Sequence, residues 1–258
     1  MKKITLNQCT LLSILAVLLL TGCGIPSVHP LYEQDDLLVD EKLTGTWESE
    51  SGESTYAVMS VRDLKQFIEE NEEEMALPHE PVVVDNDGRM TEISMNDDIS
   101  GFLGELEEMG FSNLYLVQQI ETPEKVYLAG LVEINNSYYI DFTIVDIGTD
   151  VFEFPVHIFL KANLAGDELQ FDSFSQEWLM ELIRNRQVRI SHEMTQFERF
   201  LLTAKPRELQ KFVEKYGDME EGFGNSFTYR KISQDAKFKF EELEESGEMI
   251  EEDGAETE

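Results

Sequence analysis

The sequence predicts an α+β protein dominated by β-structure, folded as an antiparallel barrel or strongly curved sheet with an acidic helical insertion and C-terminal helices. Three observations lead to this prediction. Short strand candidates recur along residues 114–174, an acidic and partly helical segment precedes them, and two amphipathic helices follow them. A closed sheet of about eight strands leaves no exposed edge, and its interior either is filled by side chains or holds one small ligand.

Each strand candidate is an alternating or β-rich run that ends at a turn signal. The first two are Leu43–Trp47 and Ser54–Val61, and a hairpin turn is expected between them at 51–53. The others cover 114–120, 126–134, 138–145, 151–164, 168–174 and 227–232. Turns are expected at Asn135–Ser137 and Ala165–Asp167, where residues that favour tight turns interrupt the strands.

The longest alternation runs from Val151 to Leu164 and predicts an antiparallel strand with one buried face. That face carries Phe152, Phe154, Val156, Ile158, Leu160, Ala162 and Leu164. We interpret this stripe as ordinary core, with the lining of a ligand pocket as the alternative. His157 lies on the opposite, polar face and is expected at the surface. Asp141 is also expected to point outward, with a position facing a cavity as the alternative.

Helices are predicted before and after the main run of strands. Arg62–Ser112 carries 15 acidic and 3 basic residues, with helical patterns beginning at 63 and covering 99–109, and is interpreted as an insertion. Ser175 is expected to cap a helix over 175–183, and Pro206 to begin one that ends near Gly217. Short strands are expected at 188–191 and 200–203.

Composition and motifs exclude several classes of protein. The 258 residues include 20 Lys+Arg and 53 Asp+Glu, a net charge of −33, which argues against binding nucleic acid. There is no G-x-S-x-G, P-loop or G-x-G-x-x-G, and the run Asp85–Gly88 is interpreted as a turn rather than a calcium loop. The four histidines lack the spacing of a zinc motif: His29, His79, His157 and His192. We therefore predict no catalytic residue, metal ligand or cofactor, and a non-enzymatic protein.

The N-terminus indicates export and lipidation. Lys2 and Lys3 precede an apolar run over 11–20 that is too short to span a bilayer. The following Leu20-Thr21-Gly22-Cys23 resembles the lipobox of bacterial lipoproteins. The resemblance implies that residues 1–22 are a cleaved signal peptide and that Cys23 carries palmitate-type acyl chains, which anchor the protein to a membrane. In Gram-negative lipoproteins, an Asp directly after the lipidated Cys tends to retain the protein at the inner membrane. Here that position is Gly24, so the resemblance implies the outer membrane of the cell envelope, with the protein facing the periplasm.

The mature chain is expected to have three parts. Residues 23–42 form the lipidated N-terminus and a tether, although residues 29–32 alternatively pack on the domain. Residues 43–232 form the β-rich domain with its insertion at 62–112. Residues 233–258 form an acidic disordered tail, since 241–258 contain ten acidic residues and no basic one.

Gly45 and Trp47 resemble the Gly-x-Trp of the first strand in lipocalins and related calycin barrels, where the Trp closes one end of the barrel. The chain is also similar to bacterial lipoproteins with a Leu-x-Gly-x-Trp start. The acidic insertion and the C-terminal helices depart from compact lipocalins. The resemblance implies a lipocalin-like domain that binds a small apolar ligand or an envelope partner. The alternative is a structural or assembly lipoprotein with a filled core and no ligand.

Overall fold

The computed structural model describes residues 24–70, 82–84, 90–92, 103–104, 106–123, 125–145, 156–194 and 200–239. Within them, eight antiparallel strands form a closed barrel. In barrel order they are β10 (Glu168–Phe174), β13 (Phe223–Ser233), β2 (Gly45–Ser49), β3 (Thr55–Ser60), β6 (Tyr115–Gln119), β7 (Val126–Ile134), β8 (Ser137–Val145) and β9 (His157–Ala165). Pairing of β9 with β10 closes the ring, with Leu164 opposite Leu169. The predicted antiparallel barrel is therefore confirmed.

Among the described residues, five further strands lie outside the ring. Three short ones extend the sheet from the first residues of β9, namely β1 (Pro26–Ser27), β12 (Phe200–Leu202) and β11 (His192–Met194). In this extension β1 runs antiparallel to β9 and parallel to β12. The other two, β4 (Val82–Val84) and β5 (Met90–Glu92), pair only with each other among the described strands.

The three helices with complete bounds are α1 (Val61–Glu70), α2 (Gln176–Arg184) and α3 (Pro206–Tyr216). Residues 103–104 and 106–108 are also helical. Both C-terminal helices begin where predicted: Ser175 Oγ accepts a hydrogen bond from Trp178 N at 3.3 Å, and Pro206 stands at the first position of α3. Helix α1 leaves the barrel after β3 and the chain re-enters at β6, the strand paired with β3, as an insertion requires.

Several predicted boundaries differ from the structure. Of the strand predicted over 151–164, the structure shows β9 from His157 onward, and residues 151–155 lie outside the described residues. The strand expected at 188–191 is instead β11, which begins four residues later and ends three residues later. The turn at Asn135 and Asn136 is confirmed, with φ of 52° and 59°, which fits the tight turns that connect hairpins. The disordered tail predicted over 233–258 was wrong for 233–239, since Thr46 Oγ1 donates to Asp235 O and Lys239 N donates to Gln118 Oε1, both at 2.7 Å. Cys23, His79, Asp85–Gly88 and residues 240–258 lie outside the described residues.

The barrel wall is covered on both faces over much of its circumference. Inside are apolar residues such as Val117, Leu131 and Leu169. Outside, α1, α2, α3 and the N-terminal residues enclose a second core that contains Phe159 and Phe174. The expectation that the face of β9 bearing His157 is solvated was wrong. Phe159, at the centre of that face, is 1% exposed because these outer elements cover it.

The N-terminal residues belong to the folded unit. Leu31 and Tyr32 are buried, and Leu38 N donates to Leu131 O at 2.9 Å. Two 3₁₀ turns, Gln34–Asp36 and Glu41–Leu43, continue the chain into β2. The prediction of a tether over 23–42 was therefore wrong for residues 24–42. The alternative, in which residues 29–32 pack on the domain, is confirmed. No helix in the described ranges has the length and apolarity to cross a membrane.

Candidate functional site

A cleft of about 480 Å³ opens at the end of the barrel where the β7–β8 and β9–β10 hairpins turn. The N-terminal residues just before β2 reach the same end and supply one wall. Its buried side chains are apolar, whereas much of its rim is polar or exposed. The lining residues are Asp40, Lys42, Leu43, Leu131, Asn136, Ser137, Tyr138, Ile140, Lys161, Ala162, Asn163, Leu164, Leu169 and Asp172.

The wall contributed by the N-terminal residues is held by Tyr115 at the start of β6. Asp40 N donates to Tyr115 Oη at 2.6 Å, and Tyr115 Oη donates to Asp40 O at 3.1 Å. Burial raises the pKa of Tyr115 to about 12, so the phenol keeps its proton at neutral pH and remains a donor. Leu43, at the end of the following 3₁₀ turn, is buried in the barrel interior.

Gly45 and Trp47 lie at the start of β2, directly after this wall. A Cβ on Gly45 would lie 2.5 Å from Ser233 O, and its φ of +139° also favours glycine. The buried Trp47 donates from Nε1 to Leu43 O at 2.8 Å. Lys231 Nζ lies 4.8 Å from the Trp47 ring centre and donates to Thr44 O at 2.9 Å. The Gly-x-Trp pattern is thus explained by two contacts. The backbone at Gly45 passes too close to Ser233 for a side chain, and the Trp47 indole is held by Leu43 O and by Lys231.

Aromatic rings occupy the middle of the barrel. Phe142 contacts Phe171 with ring centres 5.6 Å apart, and Phe171 contacts Tyr229 at 5.8 Å. Tyr229 in turn meets Tyr56 at 5.7 Å, and all three contacts are edge-to-face. Burial raises the pKa of the neighbouring Tyr127 to about 12. The stripe of β9 contributes to the barrel core at Leu160, Ala162 and Leu164, and two of these residues, Ala162 and Leu164, also line the cleft.

A buried carboxylate–imidazole pair lies on the outer face of the barrel. Asp141 is 1% exposed, and its Oδ2 accepts from Leu31 N at 2.8 Å. Its Oδ1 lies 2.7 Å from His157 Nδ1. Burial raises the pKa of Asp141, and the hydrogen bonds from His157 and Leu31 oppose that rise. Asp141 points outward from the barrel, as expected, but the N-terminal residues fold over this face and bury it. The expectation that His157 lies at the surface was wrong, since its side chain is only 13% exposed.

The pair fastens the N-terminal residues to the barrel. Gln210 of α3 donates from Nε2 to Leu31 O at 3.0 Å, so both backbone polar groups of Leu31 are held by side chains. An Asp–His pair also orients the base of a catalytic triad. Ser27, opposite His157 across β1 and β9, is however fully buried and donates from Oγ to His29 O at 2.7 Å. This arrangement holds structure together and gives a substrate no access to Ser27.

Other candidate groups do not converge. His192 stacks on Phe200 with ring centres 5.2 Å apart and has Nδ1 2.8 Å from Ile190 O. Across the part of the chain that the structure describes, no three His, Cys, Asp or Glu side chains are placed to hold a metal ion. The cleft was the feature that sequence reasoning did not locate, because its walls come from segments far apart in the chain.

The fold and the site together define a closed eight-stranded antiparallel barrel protein with a cleft at one end and its N-terminal residues fastened along the wall. Comparison with protein-family models, with curated proteins and with solved structures finds no match.

Proposed function

We propose that this chain is a lipid-anchored protein of the bacterial cell envelope that binds a small ligand with an apolar body in the cleft. The observation that carries the proposal is the cleft of about 480 Å³ in the end of a closed barrel. Ligand pockets in proteins are typically about 300–1,000 Å³. Leu43, Leu131 and Ile140 are buried and offer apolar contact, while Lys42 and Asn136 offer polar contact at the rim.

Apolar side chains at the mouth support the same proposal. Tyr138 lines the cleft and is 43% exposed, and Leu38 beside Leu131 is 38% exposed. A ligand that covers both would remove more apolar surface from water than the cleft alone. The lipocalin-like character of the barrel, inferred from Gly45 and Trp47, is part of this proposal.

Anchoring rests on Cys23 at the end of the lipobox-like motif. Removal of residues 1–22 and acylation of Cys23 place the barrel at the membrane, and Gly24 favours the outer membrane with the barrel in the periplasm. The test is metabolic labelling with palmitate in a bacterial host. The wild-type protein incorporates label and remains with membranes, whereas Cys23→Ser does neither. Label in the Cys23→Ser protein would refute lipidation at this residue.

Native mass spectrometry tests ligand binding. The protein is purified from its own envelope, and an excess mass that disappears on organic extraction identifies a bound ligand. Asn163→Phe narrows the cleft, and Asn225→Phe is a matched control, since both are exposed asparagines on barrel strands and only Asn163 lines the cleft. We expect the excess mass to be lost in Asn163→Phe and kept in Asn225→Phe.

A second function is favoured by the aromatic contacts across the barrel. Phe142, Phe171, Tyr229 and Tyr56 fill its middle, as in a structural or assembly lipoprotein with no ligand. A bare protein mass, with no excess over the calculated mass in either the wild type or Asn163→Phe, would favour this function. Crosslinking from Leu38 in the intact envelope would then identify the partner.

A further inference from the structure

A basic turn follows helix α2 in a chain that is otherwise strongly acidic. Arg184 ends the helix, and Arg186 and Arg189 follow it closely in the sequence. Residues 182–192 contain no acidic residue, although the whole chain has 53 Asp+Glu and a net charge of −33. All three arginines are exposed. We call these three residues the arginine turn.

The turn holds Arg186 in a conformation that favours glycine. Its φ is 57°, in the left-handed region. Arg186 N donates to Ile183 O at 3.0 Å. Gln187 N donates to Leu182 O at 2.8 Å, which completes the pair of hydrogen bonds that commonly ends a helix with glycine at this position. An arginine here costs stability, and strained positions of this kind cluster at functional sites.

The turn is held in place by the core beneath it. Ile190 is buried, and Val188 packs against the outer core. Tyr216 of α3 donates from Oη to Gln187 O at 3.1 Å. Lys215 Nζ lies 4.7 Å from the centre of the Tyr216 ring, so a fourth cation lies beside the arginine turn. A planar guanidinium group on a fixed turn loses little freedom when it pairs with an anion.

Within the part of the chain that the structure describes, the three guanidinium groups have no hydrogen bond or ion pair. The nearest acidic residues in sequence, Glu181 and Glu193, do not pair with them. Arg184 complements the negative end of the α2 dipole, but Arg186 and Arg189 lie beyond the helix. Guanidinium groups form strong bidentate pairs with carboxylates and phosphates, so the arginine turn is suited to an anion.

The chain carries its own carboxylate-rich segment. Residues 241–258, here called the acidic segment, contain ten acidic residues and no basic one. The described chain ends at Lys239, whose N–H donates to Gln118 Oε1 on β6 at 2.7 Å. The 19 residues that follow extend to about 60 Å, whereas a domain of about 200 residues has a radius of gyration of about 17 Å. The acidic segment is therefore long enough to reach the arginine turn.

We propose that the arginine turn binds the acidic segment of the same chain through guanidinium–carboxylate pairs. Covalent attachment gives the segment a high effective concentration at the turn, whereas a separate polyanion approaches a protein of its own sign of charge. Exposed ion pairs are individually weak and are screened by salt, so the contact opens as ionic strength rises. The docked segment covers a basic surface that otherwise attracts other anions. This inference does not depend on lipidation or on a ligand in the cleft.

Cleavage of the full chain by an endopeptidase that cuts after glutamate tests the proposal. Mass spectrometry follows the release of peptides from 241–258, and peptides from elsewhere in the chain report on the activity of the protease. The test variant replaces all three arginines of the turn by glutamine. The control removes the same number of charges at exposed positions elsewhere: Arg62→Gln, Lys205→Gln and Arg230→Gln. We expect the test variant to release the acidic segment about five- to tenfold faster than the control and the wild type.

Arg186→Gly separates binding from folding. Glycine adopts the left-handed conformation without a Cβ clash, so the midpoint of thermal unfolding is expected to rise by about 2–4 °C. The same variant loses one cation and is expected to release the acidic segment about twofold faster. Faster cleavage in a more stable protein supports binding by the side chain, because a purely structural arginine would not produce it.

Equal cleavage rates in the wild type, the test variant and the control would overturn the proposal. Equal acceleration in the test variant and the control would also overturn it, since the effect would then follow from net charge alone. Isothermal titration with inorganic pyrophosphate examines the other class of anion. Binding to the wild type that is absent from the test variant, together with unchanged cleavage, would assign the turn to a phosphate-bearing ligand and refute docking of the acidic segment.

Discussion

Replacing Asp141 by alanine tests how the N-terminal residues are fastened to the barrel. The side chain is buried and joins two groups, the backbone N–H of Leu31 at 2.8 Å and Nδ1 of His157 at 2.7 Å. Asp141→Ala leaves both without this partner. The shape-matched control is Asp141→Asn. Its carbonyl oxygen accepts from Leu31 N, and its NH₂ group donates to His157 Nδ1 when the imidazole proton is on Nε2.

The magnitude follows from the two lost hydrogen bonds. An unpaired buried donor costs about 1–3 kcal/mol, and a hydrogen bond involving a charged group is worth about 1.5–3 kcal/mol. We expect Asp141→Ala to lower the free energy of unfolding by about 2–5 kcal/mol. Asp141→Asn keeps both contacts and is expected to lower it by about 1 kcal/mol or less.

Urea unfolding of the purified proteins measures both changes, and its pH dependence adds a second readout. Because burial raises the pKa of folded Asp141 above that of the unfolded chain, its contribution is present at low pH and is lost as pH rises from about 4 through the folded pKa. The asparagine variant lacks this decline. The reasoning fails if the alanine and asparagine variants unfold at the same urea concentration, or if all three proteins share one pH profile.

Three further perturbations test other parts of the fold. Lys231→Met removes the cation over Trp47 and is expected to lower the free energy of unfolding by about 1–2 kcal/mol, measured by urea unfolding; an unchanged midpoint would contradict a role for this contact. Gly130→Ala brings a Cβ to 2.5 Å from Tyr32 Cε1 and should destabilise the protein by about 1–3 kcal/mol. Gly104 is helical with open space around it, so Gly104→Ala should stabilise the protein by about 0.5–1 kcal/mol. Thermal unfolding compares the two variants, and equal effects would refute the close packing at Gly130. Absorbance titration should show at least four late phenols, because burial raises the pKa of Tyr115, Tyr127 and Tyr139 to about 12 and raises that of Tyr32 further. Their contribution to stability is present below about pH 10 and is lost as pH rises towards 12. Titration of these phenols near pH 10 would contradict their burial.

Local signals in the sequence predicted local structure well. Asn135 and Asn136 predicted their hairpin because asparagine tolerates positive φ, and Ser175 predicted the start of α2 because its hydroxyl caps Trp178 N. Alternation predicted most barrel strands. Closure of the ring followed from an argument about sheet edges, and the pairing of β9 with β10 confirms it.

The attachment of the N-terminal residues to the barrel and the cleft both depend on contacts between segments that are distant in the sequence. Neither the hydrophobic periodicity of a segment nor its turn residues encode such contacts. Asp141 and Leu31 are 110 residues apart, so a polar residue on the outer face of β8 gives no local sign of its buried partner. Phe159 was the one available hint, since a large apolar residue between His157 and Lys161 contradicts a solvated face. The tether prediction for 24–42 failed for the same reason, because its proline and acidic residues obscured the apolar Ile25 and Leu31.

The position of β1 also sets the order in which the fold is completed. Gln210 and Leu31 are 179 residues apart, and Ser27 pairs with both His157 and Leu202. Loop-closure entropy opposes such distant pairings until the intervening chain is compact. The first residues of the folded unit therefore cannot complete their pairings before β12 and α3 have been synthesised. A protein released from synthesis must wait for its own C-terminal third before its N-terminus takes its place beside β9.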